Sequence, residues 1–73
     1  MKMLEILGQR LSLLRQEKGL HQRDMAAQLE VTLRHYQRME HGDVNLSATT
    51  LCALADYFGV TTDYLLGRSE QRS

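Results

Sequence analysis

Five side chains between positions 33 and 41 fall on one side of a helical pattern, where they could contact the edges of nucleic-acid bases. They are Leu33, Arg34, Gln37, Arg38 and His41. Arginine pairs with guanine through two hydrogen bonds, glutamine can do so with adenine, and an apolar side chain can meet the thymine methyl group. A solvated helix face would contain the same residue types, so the elements around this segment must decide between the two interpretations.

A second short helical pattern precedes this one, in the stretch QRDMAAQLEVTLRHYQRMEH from Gln22 to His41. Met25 and Leu29 are four apart and share one face of the first helix, and the small Ala26 lets another helix approach closely. Thr32 is a good N-cap, because its hydroxyl can accept a backbone N–H of the next helix. Two helices that cross over a short turn are predicted, which is a helix-turn-helix.

The rest of the chain is also predicted to be helical, so the expected fold class is an all-α bundle. Strong helix formers dominate, Pro is absent and no alternating run suggests a strand. Leucines spaced three and four apart mark a core stripe in the first helix, and Gly8 within that helix indicates close approach of a neighbour. The five helices are expected at 3–18, 22–29, 33–41, 47–58 and 62–66. Residues 1–67 would form one domain, followed by a frayed polar tail at 68–73.

Composition limits the class of protein and its surroundings. The 73 residues carry a formal net charge of zero, so any basic surface must be local, and binding to phosphate would be moderate and sensitive to salt. The single Cys52 excludes an internal disulfide, suits a reducing compartment, and is expected to pack as a small hydrophobic residue. No membrane-length apolar run and no signal-peptide pattern occur. A cytoplasmic location is therefore expected.

Catalytic and metal-binding patterns are missing from the sequence. His21, His35 and His41 lack the spacing of a metal site and have no cluster of Cys or carboxylate residues to complete one. No His is placed to activate Cys52, and no Gly-rich phosphate loop or dinucleotide fingerprint occurs. We therefore expect a protein that is not an enzyme and that uses no cofactor, metal or small-molecule ligand.

Three segments together resemble the Cro/lambda-repressor-like helix-turn-helix domain of the XRE family. They are LGQRLSLLRQEKGLHQRDMAAQL, the Met-Glu-His-Gly that ends the third helix, and LCALADYFGVTTDYLLG. The resemblance covers roughly residues 7–67. It implies a compact five-helix domain that binds operator DNA, usually as a homodimer on a palindrome. We expect a bacterial or phage-encoded transcriptional regulator that acts as a repressor. Helix 33–41 would enter the major groove.

The resemblance also implies residue roles. The positions that match DNA-contacting residues of the family are Gln22, Thr32, Leu33, Arg34, Gln37, Arg38 and Asn45. Arg15 matches an arginine that pairs with a glutamate, here Glu40. Such a pairing also suits the inner edge of a helix, where an unpartnered carboxylate would be costly.

Two departures from the family pattern weaken the inference about sequence preference: Glu30 stands where the family usually has a left-handed Gly, at a cost of about 1 kcal/mol, and Leu33 replaces a polar residue. Glu30 and the zero net charge also motivate a second hypothesis. Met3, Ile6 and Leu13 form a partial apolar line outside the core stripe. The alternative is therefore a protein-binding adaptor or antitoxin-like partner on the same fold, with weak contact to DNA.

Overall fold

Five α-helices follow one another along the chain in the computed structural model, which describes residues 2–73. They are α1 (Lys2–Glu17), α2 (Gln22–Leu29), α3 (Leu33–His41), α4 (Ala48–Phe58) and α5 (Thr62–Leu65). No strand occurs in this range, so the predicted all-α, five-helix class is confirmed. Met1, which the prediction included in the domain at 1–67, lies outside the described residues. None of the helices described is long and apolar enough to cross a membrane.

Local hydrogen bonds explain where most helices begin. The side-chain hydroxyls of Thr32, Ser47 and Thr61 each accept a backbone N–H three residues later, at 3.1, 3.2 and 3.0 Å. These bonds satisfy donors that have no partner within the helix. At the start of α2 the acceptor comes from within the helix instead. The Asp24 carboxylate accepts the backbone N–H of His21, three residues earlier, at 2.7 Å.

The core forms where α3 packs against both α1 and α2, with α4 and α5 closing the far side. α3 contributes Tyr36, which is fully buried, and Met39. The other buried apolar residues are Leu7, Leu11, Leu14, Met25, Ala26, Leu54, Ala55, Tyr64 and Leu65. The packing leaves the opposite face of α3 turned to solvent, which is what the candidate interface requires.

Gly8 lies where α1 crosses the end of α3. A Cβ at this position would overlap the backbone carbonyl of Glu40 and would lie 2.9 Å from the carbonyl oxygen of Met39. Only a residue without a side chain fits between these two backbones, so the predicted close approach of a neighbouring helix is confirmed. The arrangement fixes the C-terminal half of α3 relative to α1.

The segment after α5 contacts α1, whereas its polar composition had suggested a frayed tail. Arg10 donates to the backbone carbonyls of Tyr64 and Ser69 and pairs with the Glu70 carboxylate at 3.1 Å. Arg72 pairs with Glu17 through two hydrogen bonds of 2.8 and 2.7 Å. Polar composition alone suggested a solvated tail, but partners spaced along α1 hold it in place.

The structure also changes the interpretation of two other predictions. Ile6 packs against Gly67, so the apolar line of Met3, Ile6 and Leu13 is interrupted, although Met3 and Leu13 stay exposed. Cys52 is exposed, and the expectation that it would pack as a small hydrophobic residue was wrong. It follows Leu51 by one position and therefore falls beside the stripe that α4 turns toward the core.

Candidate nucleic-acid interface

The turn between α2 and α3 is tight and depends on one backbone conformation. Glu30 has φ of 57° and ψ of 42°, in the left-handed region. This lets the N–H of Val31 return to the carbonyl of Ala26 at 3.0 Å, which satisfies an end group of α2. Thr32 then begins α3. The turn therefore sets the crossing angle of the two helices. It does so at an energetic cost, because the left-handed conformation is unfavourable for Glu30, which has a side chain.

The outward face of α3 presents two guanidinium groups to solvent. Arg34 and Arg38 are exposed, and neither forms an ion pair or side-chain hydrogen bond with any residue from 2 to 73. Leu33 is 44% exposed, and His41 is also on the surface. Cationic donors without partners on a helix of this width are what bidentate pairing with bases or phosphates needs.

A buried ion pair lies beneath this face. Arg15 Nε donates to Glu40 Oε2 at 2.7 Å, and the two side chains are only 12% and 7% exposed. Arg15 also donates from Nη1 to the carbonyl oxygen of Leu20 at 2.9 Å. The pair joins α1 to the end of α3. Removing one partner would leave a buried charge, which is strongly destabilising.

The two charges hold each other ionised. Burial acts to raise the pKa of Glu40, but hydrogen bonds from Arg15 and Gln22 outweigh it, so the pKa lies below its ordinary value. The hydrogen bond with Glu40 raises the pKa of Arg15. Burial raises the pKa of the neighbouring Tyr36 well above its usual range, so its phenol stays neutral. Of these two side chains, Glu40 therefore carries the negative charge that faces Arg15.

Two glutamines connect the ion pair to the outer face of α3. Gln22 Nε2, at the start of α2, donates to Glu40 Oε1 at 3.1 Å. Gln37 Nε2 in turn donates to Gln22 Oε1 at 3.2 Å. Both glutamines are half-buried. The sequence placed these residues at the interface separately and did not predict the bonds between them.

A groove of about 360 Å³ runs between the start of α2 and the outer face of α3. Its walls are Arg15, His21, Gln22, Arg23, Leu33 and Gln37. Sequence reasoning did not single out His21 and Arg23, which the structure places in the wall of this groove. The sequence did contain one indication for Arg23. It follows Gln22 in the first turn of α2, where the backbone N–H groups already favour binding of an anion.

Four of the predicted contact residues are not among those that line this groove. They are the exposed Arg34 and Arg38, Thr32 and Asn45. Thr32 uses its hydroxyl to accept the backbone N–H of His35. Asn45 is exposed in the loop after α3, where its Oδ1 accepts the N–H of Leu46 at 3.1 Å. Within residues 2–73 no group of three or more His, Cys, Asp or Glu side chains is placed to hold a metal ion.

Comparison with known proteins assigns this arrangement to a family. The helix-turn-helix family model HTH_3 matches residues 11–65, which include the whole α2–turn–α3 unit. The chain belongs to this helix-turn-helix family. The resemblance to the XRE family that the sequence motifs indicated is confirmed. No solved structure gave a significant match.

Three curated helix-turn-helix relatives are similar over most of this chain. The HTH-type transcriptional regulator DdrOP3 of Deinococcus deserti is 38% identical over 82% of this chain and 46% of its own length. In Bacillus subtilis, the SPbeta prophage-derived uncharacterized HTH-type transcriptional regulator YonR is 38% identical over 84% and 56%. ImmR, an HTH-type transcriptional regulator of the same species, is 34% identical over 88% and 50%. The chain spans about half the length of these relatives.

Proposed function

We propose that this protein is a sequence-specific, double-stranded DNA-binding transcriptional regulator that acts as a repressor in the cytoplasm. It inserts α3 into the major groove of a palindromic operator and binds as a homodimer. One observation carries the proposal. Arg34 and Arg38 have no partner in residues 2–73, and they project from a helix whose other face is buried against α1 and α2. The proposal is also supported by the relatives, which are named as HTH-type transcriptional regulators.

Each part of the interface has a role in this mechanism. Arg34 and Arg38 read base edges, and Leu33 meets a thymine methyl group. Gln22, Thr32 and Asn45 contact phosphate and fix the register of the helix, which carries no sequence information by itself. Arg23 contributes a further phosphate contact at the start of α2. A repressor with this geometry works by occupying the operator, so it needs no catalytic group.

The size of the contact surface supports binding as a homodimer. One helix of nine residues reaches only a few base pairs, and a neutral chain gains little from general attraction to phosphate. Two copies related by twofold symmetry double the contacts, with half-sites about one helical turn, near 34 Å, apart. Symmetric subunits require an operator that is itself a palindrome.

The direct test is binding of the purified protein to mixed-sequence duplexes across a salt series, followed by selection from a random duplex pool. We expect binding that weakens steeply as salt increases, and a selected site with two inverted halves. Absence of salt-dependent binding at low ionic strength would overturn the proposal. It would instead favour the adaptor or antitoxin-like function, for which exposed Met3 and Leu13 would supply the protein-binding surface.

A further inference from the structure

The hydrogen bonds between Glu40, Gln22 and Gln37 run from the core to the face of α3 that we have assigned to DNA. We propose that Glu40 and Gln22 are positioning residues that fix the orientation of the Gln37 amide, so that Gln37 selects adenine in the major groove. The inference rests on the proposed function, because it concerns what one residue of that interface reads.

The direction of this hydrogen-bond chain is set at its buried end. An ionised carboxylate only accepts hydrogen bonds, so Gln22 must turn its NH₂ group toward Glu40, as the 3.1 Å bond from Nε2 to Oε1 shows. The carbonyl oxygen of Gln22 then faces the other way. It can only accept, and Gln37 supplies the donor, from Nε2 at 3.2 Å. The amide of Gln37 therefore has one favoured orientation.

The buried end is rigid enough to impose this orientation. Glu40 is 7% exposed and is held by Arg15 through Nε at 2.7 Å and Nη2 at 3.3 Å. Arg15 is itself anchored by the backbone carbonyl of Leu20 at 2.9 Å. If Gln22 flipped, its carbonyl oxygen would face the carboxylate and two acceptors would oppose each other without a proton between them.

The fixed amide matches one base better than the others. With one Nε2 hydrogen bound to Gln22, Gln37 keeps its Oε1 and its second Nε2 hydrogen, and neither has a partner within residues 2–73. One acceptor beside one donor complements adenine, which offers the N6 donor and the N7 acceptor on its major-groove edge. Guanine offers two acceptors there, N7 and O6, so the oxygen of Gln37 would face another acceptor.

The test compares Gln22→Met with Gln28→Met in binding to operator duplexes that differ only at the base pair facing Gln37. The operator comes from the pool selection. The base pair that faces Gln37 is the only one at which Gln37→Ala loses its preference among bases. Methionine is close in size to glutamine but can neither donate to Glu40 nor accept from Gln37 as the Gln22 amide does. The substitution leaves the Arg15–Glu40 pair intact. Gln28 is an exposed glutamine on the same helix. Thermal unfolding of each variant checks that it is folded.

We expect the parent and Gln28→Met to prefer adenine over guanine by roughly 5- to 150-fold at that base pair. In Gln22→Met this ratio should fall to near one, whereas preferences at base pairs read by Arg34 and Arg38 stay unchanged. Side-chain amide NMR of the free protein gives a second readout. The Gln37 NH₂ signals should shift in Gln22→Met and not in Gln28→Met.

Two results would overturn the inference while leaving the proposed function in place. One is a Gln22→Met protein that keeps the adenine preference of the parent. The other is a Gln37→Ala protein whose base preferences all equal those of the parent, because Gln37 would then read no base. Failure of the proposed function itself looks different, since the parent would then bind no duplex in a salt-dependent way.

Discussion

Arg34 and Arg38 show what a single side chain contributes to this surface. Both are exposed and have no partner in the part of the chain that the structure describes. Their guanidinium groups therefore lose no internal contact when they bind another molecule. Glu40, only two positions after Arg38, is almost fully buried and paired. Nearby positions of one helix thus separate the side chains that we propose for recognition from one that stabilises the fold.

Arg34→Ala should weaken binding to the selected operator by about 1–3 kcal/mol and relax preference at one base pair. The reason is the loss of a bidentate contact to a base edge. Competition between duplexes that differ at single positions measures this. Arg23→Ala is the matched control, because loss of a phosphate contact should weaken binding to all sequences alike. If Arg34→Ala also weakens all sequences equally, Arg34 contacts phosphate and not a base.

Glu30 combines backbone strain with an unfavourable charge. Glu30→Gly should raise the free energy of unfolding by about 1 kcal/mol, because glycine adopts the left-handed conformation without a Cβ clash. Glu30→Gln keeps the strain and should leave stability unchanged. Both variants remove a negative charge next to the interface and should bind DNA more tightly than the parent. Urea unfolding and duplex binding measure the two effects, and equal stabilisation by glutamine would show that strain is not the cause.

Glu40 should make stability depend on pH in the acid range. Its folded-state pKa lies below the ordinary carboxyl value of 4.5 that applies in the unfolded chain. The unfolded state therefore binds protons first, so the contribution of Glu40 is fully present above that value and is lost as pH falls through the folded-state pKa. Urea unfolding of the parent and Glu40→Gln between pH 7 and pH 3 should give curves that converge on acidification. A constant difference would mean that protonation of Glu40 does not control the pair.

At the scale of the helices, sequence reasoning was most successful where a local rule decides. Helix starts follow from Thr32, Ser47 and Thr61, each of which caps its own helix within three residues. The predicted and observed helix ends accordingly differ by one residue at most. The fold class could therefore be predicted from the sequence, with periodicity and capping sufficient to place all five helices.

The contacts that escaped prediction join residues far apart in the sequence. Gln37 and Gln22 are 15 residues apart, and Arg72 and Glu17 are 55 apart. Polar side chains have many candidate partners, and the choice among them depends on how helices are oriented, which local patterns do not contain. The list of interface residues could thus be proposed from the sequence, while the bonds that orient the glutamines could not.

The crossing of α1 over α3 depends on Gly8. Gly8→Ala should lower the free energy of unfolding by about 1–3 kcal/mol, since the added methyl group meets the backbone carbonyl of Glu40 and not a movable side chain. Gln9→Ala, at the exposed neighbouring position, should change it by less than about 0.5 kcal/mol. Thermal and urea unfolding measure both variants. A fully stable Gly8→Ala protein would show that the two helices can separate without cost.

At the scale of the whole molecule, the last residues join the two ends of the fold. The Tyr64 ring has the Arg10 guanidinium 4.2 Å and the Arg72 guanidinium 5.5 Å from its centroid. The backbone N–H of Thr61 donates to the carbonyl of Arg72 at 2.8 Å. Cation–π contacts of this kind add to the attraction between charges. The tail is therefore part of the packed domain in the structure.

Arg72→Ala should release the tail and expose the backbone of Thr61. The expected result is faster hydrogen exchange at the Thr61 amide, because its acceptor is no longer held by the Arg72–Glu17 pair. Exchange at the Thr61 amide of the parent should speed up to a similar extent in high salt, where an exposed ion pair is screened. Arg68→Ala, which removes only the exposed pair with Asp63, is the control. Equal exchange in the parent and Arg72→Ala would show that the carbonyl stays in place without the side chain.

The division of α3 into a buried face and an exposed face affects how readily such a protein can acquire a new target. Substitutions at Arg34 or Arg38 break no ion pair or side-chain hydrogen bond within residues 2–73, so many alternatives are open there at little risk to folding. Gln37 is different, because a replacement also breaks a bond to Gln22. Evolution or design can therefore retarget two positions independently, whereas the third must change together with its neighbour on α2.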